Sequence, residues 1–251
     1  MSARETARGA ALALIAGLVL GAAPAAGDEP KPLRTLVYEV AYTIQSSRDL
    51  HVSGLTGGDP HATESGRAAV QRGFTSLDRG TLQIDVVAAP LDGTLVVDAS
   101  YTGRESRHPP IRVVIYRDGA LSYDPKYALS AQARRILPLL ARGVLAERDI
   151  SPGSTWSTPL AKPAAGTTTY RISHRSENLA TLVIAADFTV PGPSGFEEHD
   201  DATTDYATDV LCPVTYDGRF RVRRQVGPEQ LESSDLRVTA RLLNDTFPKK
   251  R

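Results

Sequence analysis

Leu36-Val37-Tyr38-Glu39-Val40-Ala41-Tyr42-Thr43-Ile44-Gln45 decides the fold. Leu36, Tyr38, Val40, Tyr42 and Ile44 fall on one side of a period-two run, with Val37, Glu39, Ala41, Thr43 and Gln45 on the other. Successive strand side chains point to opposite faces, so this stretch predicts a long first strand with one buried face. The pattern recurs on moving outward. Leu82, Ile84 and Val86, then Leu95, Val97, Ala99 and Tyr101, flank Pro90-Leu91-Asp92-Gly93, whose turn chemistry reads as a hairpin. Ile111, Val113 and Ile115 lead into Asp118-Gly119 and out through Leu121 and Tyr123. Tyr170 and Ile172 precede a turn at Ser176-Glu177-Asn178, and Leu182 to Val190 is the most apolar strand. Asp217-Gly218 and the Pro228 region are expected to connect the last three strands, which end near Phe247. These signals predict about nine or ten strands in an all-β antiparallel meander, curved into a half-barrel or partly closed barrel.

One short helix is expected inside the strand series. Ser130 is placed to cap a turn starting at Ala131, and Pro138 limits its continuation. Leu137, Leu139, Leu140, Val144 and Leu145 form an apolar connector that the sheet must cover. Two stretches read as loops: residues 46–66, rich in glycine, and residues 191–204, where Pro191-Gly192-Pro193-Ser194-Gly195 precedes an acidic cluster. There is no repeat of fixed period and no heptad pattern.

The N-terminus carries an export pattern. Arg4 and Arg8 precede an unbroken small and apolar run from Gly9 to Ala22, and Ala23-Pro24-Ala25 supplies small side chains where a signal peptidase reads. The run is shorter than the roughly 20 residues that cross a bilayer, which favours cleavage over a retained anchor. Residues 1–27 are therefore expected to be a cleaved signal peptide, with the cut before Ala26 or Asp28, and 28–251 a single secreted β domain, periplasmic or extracellular, with no stable transmembrane segment after processing. A lipid anchor would need a cysteine at the cut, and the only cysteine is Cys212. That lone thiol cannot form an internal disulfide, and its apolar neighbours Val210 and Leu211 predict burial.

The 29 Lys+Arg balance 29 Asp+Glu, and removing Arg4, Arg8 and Glu5 leaves the mature chain slightly negative. Bulk nucleic-acid binding needs a strongly positive surface and is not expected. Export signal, long first strand, meander, the Leu/Pro-rich crossing at 129–145 and Gly153-Ser154-Thr155-Trp156 opening the second half together resemble uncharacterised secreted bacterial β-sheet proteins. In layout the chain is also similar to the half-barrel lipoprotein carriers of the bacterial envelope. This resemblance implies a curved antiparallel sheet whose concave face holds a lipid or another apolar group; it transfers no binding residue.

Catalytic signatures are weak. Gly192-Pro193-Ser194-Gly195-Phe196 misses the last glycine of a nucleophile elbow, and adjacent strand residues Ser173 and His174 point apart. His51, Asp59, His61 and Glu64, and the run Glu197-Glu198-His199-Asp200-Asp201, lack the spacing of known metal sites and read as solvated loops. Asp85 and Asp98 fall opposite the apolar phase of their strands, and Trp156 reads as a core plug. No cofactor, metal or catalytic residue is nominated, and a secreted hydrolase is the least favoured class.

The expectation is therefore a non-enzymatic envelope protein binding an apolar or amphipathic ligand such as a lipid. Its inner face would be lined by Tyr38, Tyr42, Ile84, Val113, Leu182, Ile184 and Phe220, residues that equally suit a filled core. The other class is an envelope interaction or assembly protein with a filled core, using a sheet edge or a face of arginines. Arg219, Arg221 and Arg223 alternate with Phe220 and Val222, and Arg237 and Arg241 alternate with Val238 and Ala240, so all five project from the non-core side toward an anionic envelope surface. Keeping apolar residues on one side predicts Phe220 opposite Val238, Arg223 opposite Asp235 and Arg221 opposite Arg237.

Overall fold

The structure, a computed structural model, describes residues 31–50, 74–145, 148–160, 164–192, 195–227 and 230–247. The strands are β1 (Arg34–Leu50), β2 (Phe74–Ala88), β3 (Leu95–Gly103), β4 (Arg107–Ile115), β5 (Leu121–Tyr123), β6 (Thr155–Pro159), β7 (Ala165–Arg175), β8 (Leu179–Val190), β9 (Phe196–Ala207), β10 (Cys212–Gly227) and β11 (Gln230–Asp245). Among the described residues the one α-helix, α1 (Ala131–Ile136), runs into a 3-10 turn over Leu137–Leu140. All eleven strands join one antiparallel sheet in the order β5-β4-β3-β2-β1-β11-β10-β9-β8-β7-β6. The first and last strands are thus neighbours at its centre, with Tyr38 opposite Leu242, Val40 opposite Ala240 and Tyr42 opposite Val238.

The alternation in β1 is realised as one sealed face: Leu36, Tyr38 and Val40 are buried, as are Leu82, Ile84, Val97, Ala99, Tyr101, Ile111, Val113 and Ile115 on the strands that follow. Burying a large apolar side chain stabilises by ~2 kcal/mol, so this row dominates the packing. The outermost strands, β5 and β6, are the shortest, and β6 ends at Pro159. A short edge with a missing N–H is a poor template for pairing with another chain.

Because β5 and β6 lie at opposite ends of the strand order, the chain must cross the sheet between them. Ser130 Oγ accepts from the Ala133 N–H at 3.2 Å and starts α1. Pro138 has no N–H to continue an α-helical ladder, and the backbone tightens into the 3-10 turn. Ile136, Leu137, Leu139, Leu140, Val144 and Leu145 are all buried, so this crossing covers part of the inner face. Residues near both ends of the sheet, Gly119 and Leu121 on one side and Thr158 and Leu160 on the other, line one common groove. The sheet is curved enough to bring its edges toward each other, but β5 and β6 do not pair and no barrel closes.

Several sequence expectations are corrected. The stretch 191–204 is not a loop throughout: the Gly195 N–H donates to the Gly192 carbonyl, and β9 begins at Phe196 and contains the whole acidic run. Asp217-Gly218 is not a turn but the middle of β10, hydrogen-bonded to β9 on one side and β11 on the other. Gly218 is required there by packing, since a Cβ would lie 2.7 Å from Phe220 Cζ and from the Tyr216 hydroxyl. The described residues form eleven strands where about nine or ten were expected, and β1 runs on to Leu50 where a loop was expected from 46. Residues 51–66, with His51, Asp59, His61 and Glu64, and the Pro228 turn lie outside the described residues.

Candidate functional site

Strand register sorts the inner face into rows. One row runs Tyr170, Ile184, Ala202, Gly218, Val238 and Tyr42; the next runs Thr168, Ala186, Asp200, Phe220, Leu236 and Ile44. Ala186 and Ala202 are too small to fill the space between sheet and helix. A groove of about 570 Å³ results, bounded by α1 and the 3-10 turn through Arg134, Arg135, Pro138 and Leu139, and floored by Ile184, Ala186, Phe188, Ala202, Tyr216 and Phe220. Its lining is mainly apolar with a few polar groups, the usual make-up of a small-molecule site.

Of the residues expected to line a cavity, Ile184 and Phe220 do so. Tyr38, Ile84, Val113 and Leu182 share the inner face but are sealed in the packed core. The Tyr38 hydroxyl donates to the Pro213 carbonyl at 3.0 Å and burial pushes its pKa well up, so it serves the core as a tied-down aromatic. Tyr42 is half-buried against the core, its pKa raised by burial and drawn back by the charge of Arg135. Trp156 is also half-buried and stacks on Tyr170 with ring centroids 5.6 Å apart.

The polar end of the groove comes from β9. Its inward residues are Glu198, Asp200, Ala202, Thr204 and Tyr206, all at most 8% exposed. Arg135 reaches across from α1: Nη1 donates to Asp200 Oδ2 at 2.9 Å and Nη2 donates to Glu198 Oε1. Its guanidinium lies 3.9 Å from the centroid of the Phe220 ring, a cation–π contact. Burial pushes the Asp200 carboxyl up to about 8, with Glu198 adding to the rise and Arg135 opposing it. Burial lowers the pKa of Arg135, but the charges of Asp200 and Glu198 outweigh it and hold the guanidinium above its ordinary value. Asp200 Oδ1 is enclosed and receives no hydrogen bond. This cluster lies where the sequence reading placed a solvated acidic loop. The available signal was the spacing of Glu198, Asp200, Ala202, Thr204 and Tyr206, a period of two that acidic residues obscured.

The five arginines do project from the outer face, but the register differs by two residues from the expectation. Phe220 opposes Leu236, Arg221 opposes Asp235, Arg223 opposes Ser233, and it is Arg219 that opposes Arg237. The reason is that keeping apolar residues inside fixes only the parity of pairing. Carboxylates on the same face neutralise much of the charge. Arg237 donates twice to Asp217, at 2.9 and 2.6 Å, Arg241 donates to Glu39 at 3.0 Å, and Arg221 lies 3.6 Å from Asp201. A shallow hollow of about 520 Å³ there includes Arg219, Arg221 and Arg237. Beside it His199 sits between Asp187 and Asp201, and the hydrogen bond with Asp187 raises its pKa. Asp98 pairs with Arg112 and Asp85 accepts from Thr35, so both serve ordinary strand contacts. Among the described residues no group of three or more His, Cys, Asp or Glu side chains is arranged to hold a metal, and no helix is long and apolar enough to cross a membrane.

No protein-family model matches the chain, and no curated protein matches it. Among solved structures it is similar to one concerned with lipid–protein interactions in lipovitellin, at 12% identity and a TM-score of 0.44, covering 89% of this chain. The chain spans only 26% of the length of that structure.

Proposed function

We propose that the protein is an exported, non-enzymatic binding protein of the cell envelope, periplasmic or extracellular, that holds an apolar or amphipathic small molecule such as a lipid. The observation that carries this reading is the groove of about 570 Å³ between the α1 crossing and the inner face of the sheet. Two small residues, Ala186 and Ala202, line its floor where the neighbouring rows of the same face carry larger side chains. Export is supported by Arg4 and Arg8 before the apolar run Gly9 to Ala22 and by the small residues Ala23-Pro24-Ala25. The layout similar to half-barrel envelope carriers supports the same reading.

Filling the groove tests it. Ala186→Phe or Ala202→Phe adds a ring to the hollow, and each variant is expected to lose binding of the neutral apolar dye N-phenyl-1-naphthylamine while melting like the parent. Undiminished dye binding by both folded variants would place the ligand elsewhere. A second reading, contact of the arginine face with an anionic surface, is favoured by Arg219 standing opposite Arg237. It predicts cosedimentation with anionic vesicles that weakens as salt is added; binding indifferent to salt, or none, removes it.

A further inference from the structure

The groove's polar end holds two carboxylates, Glu198 and Asp200, against one inward cation, Arg135. The other charged groups lining it, Arg134 and Asp118, are exposed at the rim and balance each other. Arg135 is already engaged on both terminal nitrogens and over the Phe220 ring. Asp200 is 7% exposed and lines the groove, its Oδ2 is taken by Arg135, and its Oδ1 has no partner. An enclosed carboxylate oxygen without a donor is an unfavourable arrangement that a matching ligand group relieves. Beside it Tyr216 and Phe220 line the groove, and the Phe220 ring already carries the Arg135 guanidinium on its face.

We propose that the groove selects an amphipathic primary amine, whose ammonium donates to Asp200 Oδ1 while its apolar chain lies along Leu139, Ile184 and Phe188. This rests on the groove being the ligand site. An ammonium supplies the missing donor and takes the place of the proton that Asp200 holds, beside Glu198, below about pH 8. A hydroxyl supplies only the donor, and a carboxylate or phosphate adds negative charge beside Glu198 and, above about pH 8, beside an ionised Asp200. Entry to Oδ1 requires a rotamer change at Arg135, whose side chain is 26% exposed and can swing toward solvent. The ligand class is thus set by charge at one end and by the apolar floor at the other.

The test is calorimetric titration of the full chain at pH 9, where Asp200 is ionised and a primary alkylamine is still protonated, with dodecylamine, dodecanol and dodecanoate below their micellar concentrations. The amine is expected to bind roughly tenfold or more tightly than the alcohol, with dodecanoate weakest. Asp200→Asn should abolish the advantage of amine over alcohol and leave alcohol affinity in place. Arg135→Gln, which leaves both carboxylates without their internal cation, should widen it. Dodecanoate binding as tightly as dodecylamine, or an amine preference that survives in Asp200→Asn, overturns the headgroup assignment while the groove reading stands. Failure of all three probes to bind overturns both. If Asp200→Asn does not fold, the ranking in the parent protein and its change in Arg135→Gln decide the matter.

Discussion

Replacing Asp200 by Asn should make the protein more stable at high pH. A carboxyl raised to about 8 in the fold has an ordinary value near 4 when the chain is unfolded, so between those limits the folded state binds the additional proton. Its stabilising contribution is complete below pH ~4 and is lost as pH rises through about 8. At ~1.4 kcal/mol per pH unit the ceiling is ~5 kcal/mol, and relaxation of the site reduces this to roughly 2 kcal/mol. Asn has the same shape, keeps an acceptor for Arg135 Nη1, and carries no proton to lose. Urea denaturation of parent and variant at pH 5, 7 and 9 is the assay. The variant should be close to the parent at pH 5 and more stable by ~2 kcal/mol at pH 9. Groups that face or adjoin Asp200, namely Arg135, Glu198, His199 and Tyr216, remain in both proteins, so the comparison isolates the one carboxyl. An Asn variant less stable than the parent at pH 9 would refute the reasoning, because Asp200 would then be stabilised as an anion.

Cys212 is fully buried and its thiol is pushed up by burial to about 11, so it should resist a thiol reagent at pH 8 and react once the chain is unfolded; equal rates in both states would contradict its placement. Gly218→Val should lower stability by ~2 kcal/mol or more in a melting experiment, since the added carbons meet Tyr216 and Phe220; an unchanged melting temperature would mean that β10 does not run through this position as described. His199 should titrate above the ordinary histidine value by NMR, and Asp187→Asn should bring it down; identical titration in both proteins would show that the pair does not form in solution.

The sequence made the faces legible before the partners. Leu36, Tyr38, Val40, Tyr42 and Ile44 share the inner face as expected, because strand alternation depends on the chain alone. Ser130 and Pro138 likewise set the start of α1 and its change to a 3-10 turn through local backbone chemistry. What depends on neighbours was not legible. The pairing of β1 with β11 joins residues about 200 apart, as in the Glu39 to Arg241 contact, and no local pattern records it. The Phe220 register failed by an even number of residues, the one kind of slip that leaves all side chains on their proper faces. At Asp217-Gly218 strong local turn chemistry is overridden by two flanking strands, and the glycine is there to make room for two aromatic rings.

The candidate site was half legible for the same reason. Ile184 and Phe220 follow from alternation, but the groove itself exists because Ala186 and Ala202 stand on the adjacent strands β8 and β9 beneath α1. The acidic residues of β9 were hidden because buried carboxylates are rare unless paired, and their partner Arg135 lies on a helix more than 60 residues away. Exposed, such a run is a loop; opposite an inward arginine, it becomes the polar end of a groove.

Native mass spectrometry of the protein purified from its native host, followed by organic extraction and analysis of what is released, tests the central claim most directly. A stoichiometric, solvent-extractable amphipathic molecule, absent from Ala186→Phe prepared in the same way, is the predicted result. A protein free of any adduct that also fails to take up N-phenyl-1-naphthylamine would contradict the claim, and the hollow under α1 would then be a packing feature of the fold.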